Sequence, residues 1–407
     1  MAKEIDKNKR VVITGLGVIS SIGIGWQEFW KNLIAGKSGI TKISSFDTSM
    51  YDRHFGGEVK IFKPEEFIDL RKISKLGRAS QMAIAATKLG LKDGTLNINK
   101  IDRSKMGVFI GTTTGEIQLL EHYNDYQYKQ ARDFLKETIL VYPASSISTN
   151  VALEFKITNR NAVFATACAA GNYAVAYAYD QIRASKLDYA IAGGADALSR
   201  IVFTGFNRLL AVAPEKCQPF DKNRQGMIPG EGAGILLIES LASAQKRKAK
   251  IYAEILGYGL SCDAHHMTNP SSDGVSKAIK KALKNSNVDP GEIDYISAHG
   301  TGTIENDLAE SQAVNRVFGK HGSRIPMSSI KSMLGHAMGA ASAFETIACC
   351  LAIQNNEIPP TINVENQDPK CLINCVPNKS IKLKIETVLN NSQAFGGNNA
   401  CIIIDTI

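Results

Sequence analysis

Cys168 stands in FATACAAGNYAVAYAYDQIRAS (164–185), among small residues that let a substrate approach and at the start of an Ala-rich stretch that reads as a helix. A thiol placed there meets unpaired amide N–H groups and the positive end of the helix dipole, so its pKa, ~8.5 when free, is expected to fall. A cysteine at a helix start is ordinarily a packing residue, and Cys168 alone decides nothing. Three residues of the second half change the balance: His299 in SAHGTGT, Lys331 in SSIKSMLGH, and His336 shortly after that lysine. Each is predicted at a strand end or a helix start. A lone histidine on such a turn is usually structural, but one cysteine and two histidines on matching turns describe a thiolate nucleophile attended by groups that can move or donate a proton.

The turns match because 164–185 and SMLGHAMGAASAFETIACCLAI (332–353) share a plan, a small-residue turn followed by an apolar helix of about four turns. Cys168 precedes Gly171, and His336 precedes Gly339, by the same spacing, which predicts equivalent places for the two reactive residues. DYAIAGGADAL (188–198) and DYISAHGTGT (294–303) pair in the same way, as short apolar strands running into Gly-rich turns. An internal duplication follows, with halves 1–250 and 251–407, opening strands near 11–14 and 251–257, and the solvated basic run QKRKAK (245–250) at the boundary. Strands alternating with buried Ala-rich helices predict α/β units with mostly parallel sheets covered on both faces.

The 407 residues are 44% hydrophobic and 21% charged with 34 glycines, a globular composition that excludes general disorder and fibrous repeats. No apolar run approaches the ~18 residues needed to span a bilayer, and the opening MAKEIDKNKR is charged where a signal peptide turns apolar, so a cytoplasmic protein is expected. The eight cysteines include no C-x-x-C pair or Cys/His cluster at zinc spacing, so neither a disulfide framework nor a metal site is expected, and seven read as small core residues. The net charge of +8 favours an acidic partner; without aromatic interleaving or a recognition motif, nucleic acid is not expected. RVVITGLGVIS (10–20) has Gly15 and Gly17 but not the third glycine or the following acid of a dinucleotide fingerprint.

In this order, RVVITGLGVIS, TACAAG, DYAIAGGADA, PFDKNRQGMIPGEGAG, DAHHMTNP, AHGTGT, IKSMLGHAMGAAS and AFGGNNA resemble the condensing enzymes of the thiolase superfamily, specifically β-ketoacyl-acyl-carrier-protein synthases of the type II, elongating kind, over essentially the whole chain. The resemblance implies a thiolase-like duplicated α/β fold in a five-layer α-β-α-β-α arrangement. It implies that Cys168 takes an acyl chain from a carrier-protein thioester, that His299 and His336 assist decarboxylation of malonyl-carrier protein and hold the enolate oxygen, and that the amides of Cys168 and Phe395 form an oxyanion hole. Lys331 would support the site's electrostatics with Asp307 and Glu310 as its acidic partners. Phe395 would gate the acyl pocket beside Phe206, and His265 and His266 would shape a gating loop. Thr113 and Thr114 fall at the pocket floor, where such synthases usually have Gly and an apolar residue, and Gln393 stands where many have Phe. A more polar pocket suits an unsaturated or polyketide-like chain. Arg71, Lys72, Lys75 and Arg78 have helical spacing to meet an acidic helix of the acyl carrier protein, whose phosphopantetheine arm delivers the substrates. No metal and no diffusible cofactor are implied. A fatty-acid homodimer and a heterodimer with a Cys-less, chain-length-factor-like subunit in polyketide or polyene synthesis both stay open, while Cys168 argues against a non-catalytic partner subunit.

Overall fold

The computed structural model describes residues 9–127 and 140–407; the charged opening, residues 1–8, lies outside them. The first half supplies β1 (Val11–Ser20), α1 (Arg78–Asp93), β2 (Met106–Gly111), α2 (Ser145–Phe155), β3 (Asn161–Phe164), α3 (Ala170–Arg183), β4 (Tyr189–Asp196) and β5 (Gly232–Ser240). The second supplies β6 (Ala253–Cys262), α4 (Ser272–Ser286), β7 (Tyr295–Ser297), α5 (Ile304–Phe318), β8 (Pro326–Ser328), α6 (Ala341–Asn355), β9 (Thr387–Gln393) and β10 (Asn398–Asp405).

The first five strands lie in the order β3-β2-β4-β5-β1 and the second five in the order β8-β7-β9-β10-β6, the same order within each half. In each half the second strand pairs in parallel with the third and fourth, while the fourth, fifth and first pair antiparallel. The sheets are therefore mixed rather than mostly parallel. For β9 and β10 the reason is plain, since the short turn 394–397 cannot carry the crossover that a parallel pair needs. Val11–Ile13 of β1 also pairs with Ala253–Ile255 of β6, which joins the halves into one twelve-stranded sheet.

Three buried clusters define five layers. Ala83 and Ile84 of α1 and Ile147 and Val151 of α2 cover one face of the first half against Val108, Ile191 and Ile235. Val175 and Ile182 of α3 and Ile347 and Leu351 of α6 fill the middle, against Phe109 and Leu236 on one side and Val388 and Ile402 on the other. Ile279 and Leu283 of α4 and Val314 of α5 cover the far face against Leu389 and Ile403. Both faces of β5 are thus buried, Leu236 and Ile238 inward and Ile235 and Leu237 outward, which explains its unbroken apolar run. Every residue of α6 from Ala341 to Ile353 is buried, as a helix without a polar face requires. No helix among the described residues is long and apolar enough to cross a membrane.

The internal repeat is real but shifted from the expected alignment. The 3₁₀ turns Ala167–Ala169 and Met338–Ala340 lead into α3 and α6, and each opens on a left-handed residue, Ala167 at φ 49° and Met338 at φ 51°. Cys168 is therefore the counterpart of Gly339, and His336 lies three residues earlier. Likewise β4 is the fourth strand of its half while β7 is the second, so DYAIAGGADAL and DYISAHGTGT do not occupy equivalent places. Stretches rich in Ala and Gly match one another at several offsets, and strand order removes the ambiguity.

Candidate active site

β3 ends at Phe164 and the chain turns sharply at Ala167, a strained left-handed position for a residue with a Cβ, to present Cys168 at the head of α3. The turn is wedged against its counterpart. A Cβ added to Gly171 would lie 2.7 Å from Ser342 Oγ and 2.9 Å from the Ala343 amide nitrogen, so only glycine lets α3 and α6 approach this closely. The N–H groups of Phe395 and of Cys168 itself point at the sulfur. The thiol is nevertheless not acidic. Burial pushes it up to about 12, helped by the nearby Asp196 carboxylate and opposed by the Lys331 charge and the two amides. Desolvation outweighs the helix-start stabilisation here and reverses the expected fall.

His299 follows β7 and His336 follows the short helix Lys331–Leu334. His336 is held by its backbone, its N–H donating to the Ile228 carbonyl at 2.7 Å and its carbonyl accepting from the Gly230 N–H at 2.8 Å. The His299 N–H donates to Glu310 Oε1 at 2.8 Å, and its carbonyl accepts from Lys331 Nζ at 2.6 Å. The two rings meet edge to face with centroids 5.5 Å apart. Cys168 Sγ and one nitrogen from each ring all lie within 4.8 Å of one another.

Such a cluster has the spacing of a soft-metal site, but the hydrogen bonds orient its rings otherwise. The Met338 N–H donates to His336 Nδ1 at 3.1 Å, and the Lys331 ammonium lies 3.3 Å from His299 Nδ1. Both Nδ1 atoms accept, which leaves the proton of each neutral ring on Nε2. Burial, and then the Lys331 charge, hold both imidazoles well below their usual range, so both are neutral at pH 7. His336 Nε2 is buried without a partner among the described residues. A metal-binding histidine has the reverse arrangement, donating from its far nitrogen to free the near lone pair. These two present N–H donors.

Lys331 is 1% exposed and pairs with Glu345 of α6, not with Asp307 or Glu310 as expected. Glu310 is occupied by the His299 and Gly300 N–H groups and by Asn391 Nδ2. Asp307 accepts from the Phe220 and Gly302 N–H groups and lies 3.5 Å from the Arg224 guanidinium. Both hold the His299 loop. Glu345 and Asp196 were not singled out in the sequence. Glu345 had a readable signal, a lone acid in a helix apolar all round, which must be buried and therefore paired. Asp196 closes the site from beneath, taking the Gly339 and Thr113 N–H groups at 2.7 Å each.

A cleft with about 520 Å³ of space, part of it open to solvent, has Cys168, His299, His336, Phe206, Gln393 and Phe395 on its wall. The Phe206 and Phe395 rings pack with centroids 5.6 Å apart. Phe395 sits on a turn where Gly396 and Gly397 both have φ near 80°, and the Gly396 N–H donates to the Met267 carbonyl at 2.8 Å. The exposed His266 rims the cavity and uses Nδ1 to accept the Thr268 and Asn269 N–H groups, a loop-shaping arrangement. His265 is exposed and outside the wall. Thr113 and Thr114 do not reach this cavity; their amides donate to Asp196.

The basic stripe does not form on one helix. Leu70–Ile73 is a single short turn, and Arg78 opens α1 with its guanidinium turned inward onto Glu231 and the Val59 carbonyl. Arg71 and Lys75 are exposed, and the exposed Lys72 reaches Glu154. Gly77 breaks the helical register that the spacing had suggested.

Residues 8–244 match the family described as "Beta-ketoacyl synthase, N-terminal domain", and residues 252–365 match "Beta-ketoacyl synthase, C-terminal domain". A 3-oxoacyl-[acyl-carrier-protein] synthase 2 of Synechocystis sp. is 37% identical over 409 residues, 97% of this chain and 98% of its own. The protein of the same name from Coxiella burnetii is 37% identical over 414 residues, covering 98% and 99%. Among solved structures, a chain of the ishigamide ketosynthase/chain length factor is 44% identical with a TM-score of 0.93, covering 98% of this chain and 99% of that one. A chain of a type II polyketide acyl-carrier protein in complex with its ketosynthase bound to the hexaketide is 33% identical with a TM-score of 0.90, again covering 98% and 99%.

Proposed function

The chain belongs to the β-ketoacyl synthase family, and on that premise we propose that it condenses a malonyl unit on acyl carrier protein with an acyl chain held as a thioester on Cys168. The meeting of one thiol with two imidazole N–H donors supports this reading above all else.

In the first step Cys168 sulfur attacks the carrier thioester, the carbon–sulfur bond to phosphopantetheine breaks, and the thiol proton passes to the departing pantetheine sulfur. The tetrahedral oxyanion lies against the amides of Cys168 and Phe395. In the second step the carboxylate of malonyl-carrier protein leaves as carbon dioxide, and its bonding pair becomes an enolate whose oxygen takes the Nε2–H donors of His299 and His336. The enolate carbon then attacks the acyl thioester. The Cys168 thiolate departs and takes a proton from water, leaving a β-ketoacyl-carrier protein. Lys331 acts through His299, fixing its tautomer and keeping it neutral, while Asp307 and Glu310 hold its loop. In this assignment residues 1–250 bring the thiol and residues 251–407 bring the imidazoles. Substrates arrive on the carrier protein's phosphopantetheine, with no diffusible cofactor, in the cytoplasm. Arg71, Lys72 and Lys75 remain the surface assigned to the carrier, without Arg78.

Intact mass after incubation with acyl-carrier protein tests the nucleophile: the wild type gains one acyl group, and Cys168→Ala gains none. Covalent label on Cys168→Ala would show the nucleophile to be elsewhere. A second reading, that the chain is the catalytic subunit of a type II polyketide or polyene system paired with a Cys-less chain-length-factor-like subunit, is favoured by the 44% identity to a ketosynthase/chain length factor structure. Native mass with the candidate subunit distinguishes a heterodimer from a homodimer.

A further inference from the structure

Gln393 ends β9, two residues before Phe395, on the wall of the cavity that holds Cys168. It is 2% exposed, yet neither its Oε1 nor its Nε2 has a hydrogen-bond partner among the described residues. A buried amide with both ends unpaired is unfavourable. The cavity wall carries the apolar Phe206, Met227, Ala394 and Phe395 as well as the polar Thr301, Thr303 and Asn306, and none of these hydrogen-bonds the amide. Packing alone would be served better by an apolar side chain of the same size. The amide's partner must therefore be supplied by whatever fills the cavity.

Its place on the strand says which part of the substrate that is. Ser392 Oγ, one residue earlier, donates to the Cys168 carbonyl at 3.2 Å, and the Phe395 N–H, two residues later, points at the Cys168 sulfur. Gln393 lies between Ser392 and Phe395 in the chain and shares the cavity wall with Cys168, so a chain held there as a thioester passes along the same wall. Its amide offers both a donor and an acceptor, which a hydroxyl satisfies at both ends and a carbonyl at one. We propose that Gln393 is a specificity-determining residue that pairs with an oxygen on the acyl chain close to the thioester, selecting hydroxyacyl or oxoacyl chains over saturated ones. The assignment rests on the condensing function proposed above and gives it a substrate class.

The test is the rate at which Cys168 is acylated, read by intact mass with no extender present. Pantetheine thioesters of equal length are compared, one 3-hydroxyacyl and one saturated. The wild type is expected to take up the hydroxyacyl chain about tenfold faster or more, since a site built around a hydrogen bond rejects the analogue that lacks it. Gln393→Met, close in size but without the amide, is expected to acylate both at similar rates with a Tm no lower than the wild type's. A wild type without the preference, or a Gln393→Met variant that keeps it, overturns the assignment. A loss confined to condensation would move Gln393 to the extender and overturn it equally. If Cys168 takes up neither chain, the condensing function itself falls; if it takes up the saturated chain alone, only the role of Gln393 falls.

Discussion

Replacing His336 with alanine is expected to separate the two halves of the proposed reaction. The backbone at this position is fixed independently of the ring, by the Ile228 carbonyl, the Gly230 N–H and the positive φ of Gly335 at 73°, so truncation leaves the turn in place. What is lost is one N–H donor, held in a buried position and oriented by the Met338 amide. One preorganised donor to a developing oxyanion is worth about 10²–10³ in rate, or about 3–4 kcal/mol, and that is the expected fall in β-ketoacyl product or carbon dioxide released from malonyl-carrier protein. Acyl transfer to Cys168 does not use this donor and should stay within about threefold of wild type by intact mass. His336→Gln, whose amide nitrogen reaches roughly the place of Nε2, should recover part of the loss. Because burial and Lys331 keep the ring neutral, wild-type condensation should show no imidazole titration from pH 6.5 upward. Condensation at the wild-type rate in His336→Ala, or an equal loss of acylation, refutes the reasoning.

Glu345→Ala leaves the Lys331 ammonium buried without its counter-charge and should cost about 3–5 kcal/mol in urea unfolding; the double variant Lys331→Met/Glu345→Leu should regain much of that stability but not condensation. Asp196 is raised by burial from 3.8 to about 6, so the folded state holds this proton more firmly than the unfolded chain does. The stabilisation is full below pH 3.8 and lost as pH rises through about 6, and the wild type should lose about 3 kcal/mol relative to Asp196→Asn over that window; a pH-independent difference between the two would exclude it. Arg71→Glu with Lys75→Glu should raise KM for the acyl-carrier protein without slowing acylation by a small pantetheine thioester. Arg78→Met should leave that KM unchanged and lower stability through Glu231, and a KM effect at Arg78 would return it to the docking surface.

Cys168, His299, Lys331 and His336 were legible in the sequence as candidates because each stands at the end of an apolar strand or the start of a helix, and turns and helix starts are set by local chain chemistry. The buried all-round character of α6, the two opening strands and the doubling of the chain were legible for the same reason. The offset of the repeat was not, since Ala- and Gly-rich stretches align with themselves at several registers. Nor was the partner of Lys331. Asp307 and Glu310 are close to His299 in sequence, but the unpaired N–H groups of their own loop claim them, and the lysine is left to Glu345 across the middle layer.

By itself the sequence determined which reactive side chains stand on turns, where they are candidates for chemistry. Only the tertiary structure decided how those groups behave. Folding the two halves against α3 and α6 brings the thiol within reach of both rings, buries all three, fixes each ring as an N–H donor through Met338 and Lys331, and reverses the expected shift of Cys168. A charge's free energy depends on everything packed around it, and that environment is assembled from residues far apart in the chain.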